Sequence, residues 1–245
     1  MEHEFISVHE LITSGIHFGH LASRWNPKMA PYIYKKYNRI HLIDIRETIK
    51  GLIRAYHFLY NVTKNGELVL FVGTKHQAAG IIESQAKRCG MPYVSQHWVG
   101  GTLTNFATIR RRLSRLQQIE QLEQEGKLSE YSKKEIATIM REKRRLSRNL
   151  DGIRTMERLP AAVVIIDPLR EEISVAESNR IRSAVIALTD TDCDPDPIDI
   201  VIPGNDDSVK VIQLVVSKLA DAVVEGKGVV VGAEEGPPST ANSSN

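Results

Sequence analysis

Three short, almost unbroken apolar runs constrain this chain most, because a strand that is apolar at successive positions must be buried on both faces. Leu68-Val69-Leu70-Phe71-Val72 stops at Gly73, and a helical pattern follows over 74–89. Ala162-Val163-Val164-Ile165-Ile166 stops at Asp167 before a helical stretch at 171–180, and Val185-Ile186-Ala187-Leu188-Thr189 stops at Asp190. Strands of this kind, separated by helices, predict a parallel sheet with a helix layer on each face, an α/β, doubly wound fold. Asp199-Ile200-Val201-Ile202 adds an edge strand, ended by Pro203-Gly204. A last helix is predicted from near Asp206 to Gly226, with Val209, Ile212, Val216, Leu219 and Val223 on one face.

Residues 106–149 break that rhythm. They contain no strand-like run, and their apolar positions recur at three and four: Ile109, Leu113, Leu116, Ile119 and Leu122, then Ile136, Ile139, Leu146, Leu150 and Ile153. The spacing predicts two long helices with a turn over 126–131, that is, a protruding antiparallel helical hairpin (coiled coil) inserted at 105–149. The body is then 1–104 plus 150–226, with a basic and aromatic extension at 5–46. The Ser-, Pro- and Glu-containing tail, 227–245, is predicted to be disordered. Into the hairpin leads Trp98-Val99-Gly100-Gly101-Thr102-Leu103-Thr104-Asn105. Its paired glycines make a hinge, and its Thr and Asn side chains are expected to cap the first helix.

Charge gives the functional reading. The 245 residues hold 32 Lys or Arg and 30 Asp or Glu, a net charge of +2, but the balance is uneven along the chain. Between 20 and 64 there are nine Lys or Arg against two acids, and between 105 and 155 thirteen against seven. Residues 190–207 hold seven aspartates and no Lys or Arg. One basic side and one acidic side suit a protein that lays one face on nucleic acid. The hairpin contributes Arg110, Arg111, Arg112, Arg115, Arg141, Lys143, Arg144, Arg145 and Arg148 as phosphate contacts. The alternative is that Glu120, Glu135 and Glu142 merely pair with these cations. In the extension, Arg24, Trp25, Asn26, Lys28, Lys35, Lys36 and Arg39 interleave with Tyr32, Tyr34 and Tyr37, rings for bases beside cations for phosphates. The alternative there is a hairpin packing its aromatics on the body. Lys75, at the start of a helix that follows a strand, is a candidate for one further RNA phosphate.

Catalytic patterns fail on inspection. Gly73-Thr74-Lys75 has neither the spacing nor the order of a phosphate-binding loop, and no Gly-x-Gly-x-x-Gly follows a strand. Asp190, Asp192, Asp194 and Asp196 alternate like calcium ligands, but Pro195 and Pro197 interrupt them and no closing Glu follows, so a turn with self-bonding aspartates is expected. His17, His20, Cys89 and Cys193 match no zinc spacing, and the two cysteines are expected to be buried thiols. No catalytic residue, metal or cofactor is predicted. The longest apolar run is the six residues 161–166, far short of a membrane span.

Nine motifs in order carry a resemblance. His17-Phe18-Gly19-His20, Arg24-Trp25-Asn26-Pro27-Lys28-Met29, Pro31-Tyr32-Ile33, Phe71-Val72-Gly73-Thr74-Lys75, Cys89-Gly90, the 98–105 segment, Ile166-Asp167-Pro168, the aspartates of 190–196 and Ile202-Pro203-Gly204-Asn205-Asp206-Asp207 resemble the bacterial ribosomal protein S-two family over about residues 5–226. The resemblance implies a flavodoxin-like sheet with a coiled-coil hairpin and a non-enzymatic, cytoplasmic role in the small ribosomal subunit. It also implies as partners the small-subunit ribosomal RNA, other small-subunit proteins and the OB-repeat protein that helps load messenger RNA, with no membrane and no homo-oligomer. Phe106 stands where the family often has Trp, and Arg182-Ser183 departs from its usual lead into a strand. The rivals are a small-molecule enzyme on the same fold, its ligand near Gly73, Asp167 and Asp190, and an adaptor that uses the hairpin alone.

Overall fold

A computed structural model describes residues 6–234. In chain order, α1 (Val8–Ser14), β1 (Phe18–Leu21), β2 (Ile33–Tyr37), β3 (Ile40–Ile43) and α2 (Ile45–Lys64) precede β4 (Val69–Val72), α3 (His76–Cys89) and β5 (Tyr93–Val94). Two long helices, α4 (Phe106–Gln124) and α5 (Lys133–Leu150), come next. Then follow β6 (Ala162–Ile166), α6 (Glu172–Arg180), β7 (Ala184–Thr189), β8 (Ile200–Pro203) and α7 (Val209–Glu234).

β5, β4, β6, β7 and β8 lie side by side in that order, all parallel, with Val69 opposite Ala162 and Val163 opposite Val185. Counted by position in the chain the order is second, first, third, fourth, fifth, so the winding reverses between β4 and β6. Every residue of β4 and β6 is buried, which is why these runs show no polar alternation. Successive side chains still point to opposite faces. Val69, Phe71, Val164 and Ile166 pack with α2, α3 and α7, whereas Leu70, Val72, Val163 and Ile165 pack with α4, α5 and α6. Two helix layers thus cover the sheet, and β8 is an edge strand as expected. The other edge, β5, was not predicted. Two residues beside Pro92, which has no N–H to give, carry no periodicity.

A smaller antiparallel sheet, β1-β3-β2, forms the extension. Its hairpin turns on Asn38 and Arg39, both at positive φ (43° and 70°), with Tyr37 paired to Ile40. Right-handed strand twist favours that two-residue geometry.

Two helix ends depart from expectation. α7 continues past Gly226 to Glu234, so residues 227–234 are helical and only 235–245 of the expected disordered tail lie outside the described residues. Gly226 serves close packing instead of a stop: a Cβ there would run into Thr63 Oγ1 and the Tyr60 carbonyl of α2. At the start of α4, Asn105 makes no side-chain cap.

α4 and α5 are joined through Gly126, at φ 69°, and a 3-10 turn over Lys127–Glu130. Ser132 and Glu135 then close a capping box at the start of α5, which stabilises a helix by about 1 kcal/mol. Ile109, Leu113, Leu116, Leu146 and Leu150 belong to the core beneath the sheet. Farther along, Leu122, Ile136 and Ile139 are only half-buried. Among the described residues no helix is long and apolar enough to cross a membrane.

Candidate nucleic-acid interface

The segment leading into α4 is fixed by one carboxylate that the sequence reading did not identify. Glu177 of α6, 7% exposed, accepts from Trp98 Nε1 (3.0 Å) and Gly101 N (2.7 Å) on one oxygen. On the other it accepts from Leu103 N (2.9 Å), Thr104 N (3.1 Å) and Thr104 Oγ1 (3.1 Å). Burial pushes this carboxyl up, but the donors from Trp98, Thr104, Gly101 and Leu103 together outweigh it and hold Glu177 below the usual carboxylate range. The expected caps are therefore absent because Thr104 donates to Glu177 and Thr102 Oγ1 to the Val99 carbonyl (2.5 Å). Of the paired glycines, Gly101 alone is at positive φ (87°). Phe106, the substitution for Trp, packs against the core behind this clasp.

The clasp sets the direction of α4 and with it the arginines. Arg111, Arg112, Arg141, Arg145 and Arg148 are exposed, and none of them makes an ion pair among the described residues. Arg144 is exposed too, its Nε donating only to the Met140 carbonyl of its own helix (3.3 Å). Arg110 donates to the Met156 carbonyl (3.2 Å), Arg115 faces Glu142 (3.4 Å), and Lys143 pairs with Glu123. Most glutamates expected to neutralise the arginines do other work. Glu120 holds Arg154 (2.7 Å), and Glu135 belongs to the capping box. Glu142 alone of the three meets one of the proposed contacts.

In the extension the structure divides the candidates. Arg24, Lys35, Lys36 and Arg39 are exposed beside Tyr34 and Tyr37, which are themselves 62% and 56% exposed, with the Lys35 ammonium 5.6 Å from the Tyr34 ring. Asn26 and Lys28 are engaged by the protein itself, Lys28 while remaining exposed. Asn26 caps a 3-10 turn through Lys28 N (3.0 Å), and Lys28 Nζ meets Asp194 (2.7 Å) and Asp196 (2.5 Å). Trp25 tilts against His41 with ring centroids 5.0 Å apart.

At the carboxyl ends of the strands, where a fold of this class binds small ligands, the protein's own charges meet. Lys75 Nζ lies 3.2 Å from Asp167, 2.7 Å from Asp206 and 2.6 Å from Asp207. Burial works against its charge, but the hydrogen bonds to Asp206 and Asp207 prevail and raise its pKa. Asp206 itself is pushed up to about 7 by burial and by Asp167. Three carboxylates thus surround the one ammonium that the sequence offered as a contact for an RNA phosphate. Beside it, buried Glu171 accepts from Thr74 N (2.9 Å) and Thr74 Oγ1 and occupies the crevice between β4 and β6.

His20 closes the same cluster. Its Nδ1 is 2.9 Å from Asp190, and its Nε2 is 3.6 Å from Asp207 and 3.9 Å from Asp192. The hydrogen bond to Asp190, reinforced by the surrounding aspartates against burial, raises its pKa to about 9. His20, Asp190 and Asp192 are the one group among the described residues with three ligand atoms within 4.8 Å, and neither cysteine joins it. The aspartates of 190–196 bond back to their own turn, Asp196 N to Asp194 Oδ1 at 3.0 Å, as expected.

Comparison with known proteins places these features in context. A family model described as "Ribosomal protein S2" matches residues 11–226. A curated protein of Rhodopirellula baltica, "Small ribosomal subunit protein uS2", is 52% identical over 221 residues, covering 90% of this chain and 85% of its own length.

Proposed function

Because this chain belongs to the ribosomal protein S2 family, whose members are structural components of the small ribosomal subunit in the cytoplasm and not enzymes, we propose that it anchors there by binding ribosomal RNA. The observation that carries the reading is the separation of free from neutralised cations. Exposed Arg111, Arg112, Arg141, Arg145 and Arg148 on α4 and α5 have no carboxylate partner among the described residues, whereas Lys75 has three. In this reading α4 and α5 form an inserted antiparallel coiled-coil hairpin, residues 105–149, on a flavodoxin-like body. The ion pairs of Lys143 with Glu123 and of Arg115 with Glu142 support that packing.

Arg24, Lys35, Lys36 and Arg39 make a second RNA contact, with Tyr34 and Tyr37 as stacking rings. Arg110, Arg115, Arg144 and Lys143 reinforce the hairpin surface from partly engaged positions. Neighbouring small-subunit proteins, among them the OB-repeat messenger-RNA-loading protein, are met by the rest of the surface. Val8 and Ile12 of α1, 50% and 48% exposed, support a protein neighbour at the N-terminus.

The test is binding of the full chain to small-subunit ribosomal RNA across a salt series. The expected result is a log–log slope near −0.7 to −0.9 per neutralised phosphate. Affinity that ignores salt, or a tagged chain that never sediments with small-subunit particles, would overturn the reading.

A further inference from the structure

We propose that the cavity at the root of α4 and α5 is a seat for one unstacked nucleotide of single-stranded RNA, a proposal that rests on the RNA-binding reading above. The cavity measures about 340 Å³ and lies between the two helices and the segment that enters α4. That is the small end of the roughly 300–1,000 Å³ range of ligand pockets, enough for one nucleotide and too narrow for a stacked duplex.

Its chemistry is divided as a nucleotide requires. Arg112, Arg115 and Arg145 stand along it, and the only acid on its lining, Glu142, is held at 3.4 Å from Arg115. Arg112 and Arg145 have no ion pair among the described residues, so two full positive charges face the opening. Val99, Leu146 and Leu150 supply an apolar wall against which a base can lie. Asn149 adds the selective feature. Its Oδ1 is buried and accepts from no donor, a state that buried polar groups seldom keep. Inorganic phosphate satisfies the arginines but has no apolar face to lay against Val99, Leu146 and Leu150, whereas a nucleotide brings a base for that wall and an amino group or ribose hydroxyl for the amide oxygen. A nucleotide therefore answers both halves of the site.

The walls are held by the protein's own contacts. Glu177 fixes the chain on either side of Val99 through Trp98 and Gly101, and Leu146 and Leu150 are part of the core beneath the sheet. A site held this way loses little freedom on binding.

The experiment uses the full chain and a fluorescent single-stranded oligoribonucleotide of about six nucleotides, the scale of one single-strand site. Nucleoside monophosphates are expected to displace it, and inorganic phosphate at equal concentration is not. Arg112→Ala with Arg145→Ala should weaken it about tenfold, and Asn149→Leu about fivefold with no change in the salt slope. Phosphate competing as well as a nucleotide, or an Asn149→Leu chain of normal thermal stability binding as before, would overturn the proposal. The competition needs no variant and decides the matter even where a substitution unfolds the protein. If ribosomal RNA binds with its salt dependence and the oligonucleotide does not, the seat is wrong and the RNA reading stands. If neither binds, both fail.

Discussion

The carboxyl ends of the strands and the root of α4 and α5 are both dense in charge, yet they handle it in opposite ways. Around Lys75 and His20 each cation faces three carboxylates within 4 Å, and of the group Asp207 alone is more than half exposed. On α4 and α5 the arginines stand in water, and most of the nearby glutamates are bound elsewhere. A cation caged by its own protein stabilises the fold and offers little to a partner. An exposed, uncompensated one does the reverse. At the strand ends Glu171 is tied to Thr74 and Lys75 to three aspartates, so the polar groups there are engaged with one another.

The contrast breaks most visibly if charge is reversed on the helices. Arg111, Arg141, Arg144 and Arg148, all four changed to Glu, should lower affinity for small-subunit ribosomal RNA on the order of a hundred- to a thousandfold and flatten the salt slope by about 3. The urea midpoint should hardly move. Filter binding beside a denaturation curve reads both, and unchanged RNA affinity would refute the anchoring role of α4 and α5.

Lys75→Met is the mirror experiment. Removing the ammonium leaves Asp167, Asp206 and Asp207 facing one another, and unfolding stability should fall by about 3 kcal/mol. RNA affinity measured well below the melting temperature should stay within about twofold. A large loss of RNA affinity without destabilisation would show that Lys75 reaches phosphate after all.

Glu177→Gln tests how far the second region depends on the body. The amide turns an acceptor into a donor facing buried N–H groups, at a cost of about 2 kcal/mol. RNA binding should weaken less than stability does, because the arginines remain on α4. Since the folded pKa of Glu177 lies below its ordinary 4.5, the clasp contributes fully above that value and is lost as pH falls through the folded one. The acid unfolding of the wild-type chain should therefore have a component missing from the Gln variant.

The smallest effect is the alkaline counterpart. His20 is raised from 6.5 to about 9, so its pairing with Asp190 is complete below about pH 6.5 and disappears as pH rises through 9. With the ring partly open to solvent, the stability lost over that range should be about 1–2 kcal/mol by thermal or urea unfolding. His20→Gln should flatten the curve. A wild-type stability that does not change between pH 6.5 and 9 would mean that the imidazole is neutral throughout.

Much of this molecule was legible from local pattern. β4, β6 and β7 showed themselves as apolar runs, and α4 and α5 as three-and-four spacing, because burial on a repeating backbone leaves a repeating trace in sequence. Gly226 was misread for a comparable reason. A glycine near the end of an apolar helix pattern has the same appearance whether it stops the helix or lets α2 approach it. Glu177 left no trace at all, since a glutamate in a short helix is the commonest of surface residues, and its donors lie more than seventy positions earlier in the chain.

The residue order alone therefore determined the alternation of strands and helices, the interruption that becomes α4 and α5, and the concentration of positive charge at 20–64 and 105–155. Those properties depend on neighbours a few positions apart. Which cations remain free was settled only by folding, because Lys75 and Arg112 carry the same charge until the return of β6 and β8 brings three aspartates against one, while no ion pair forms at the other among the described residues.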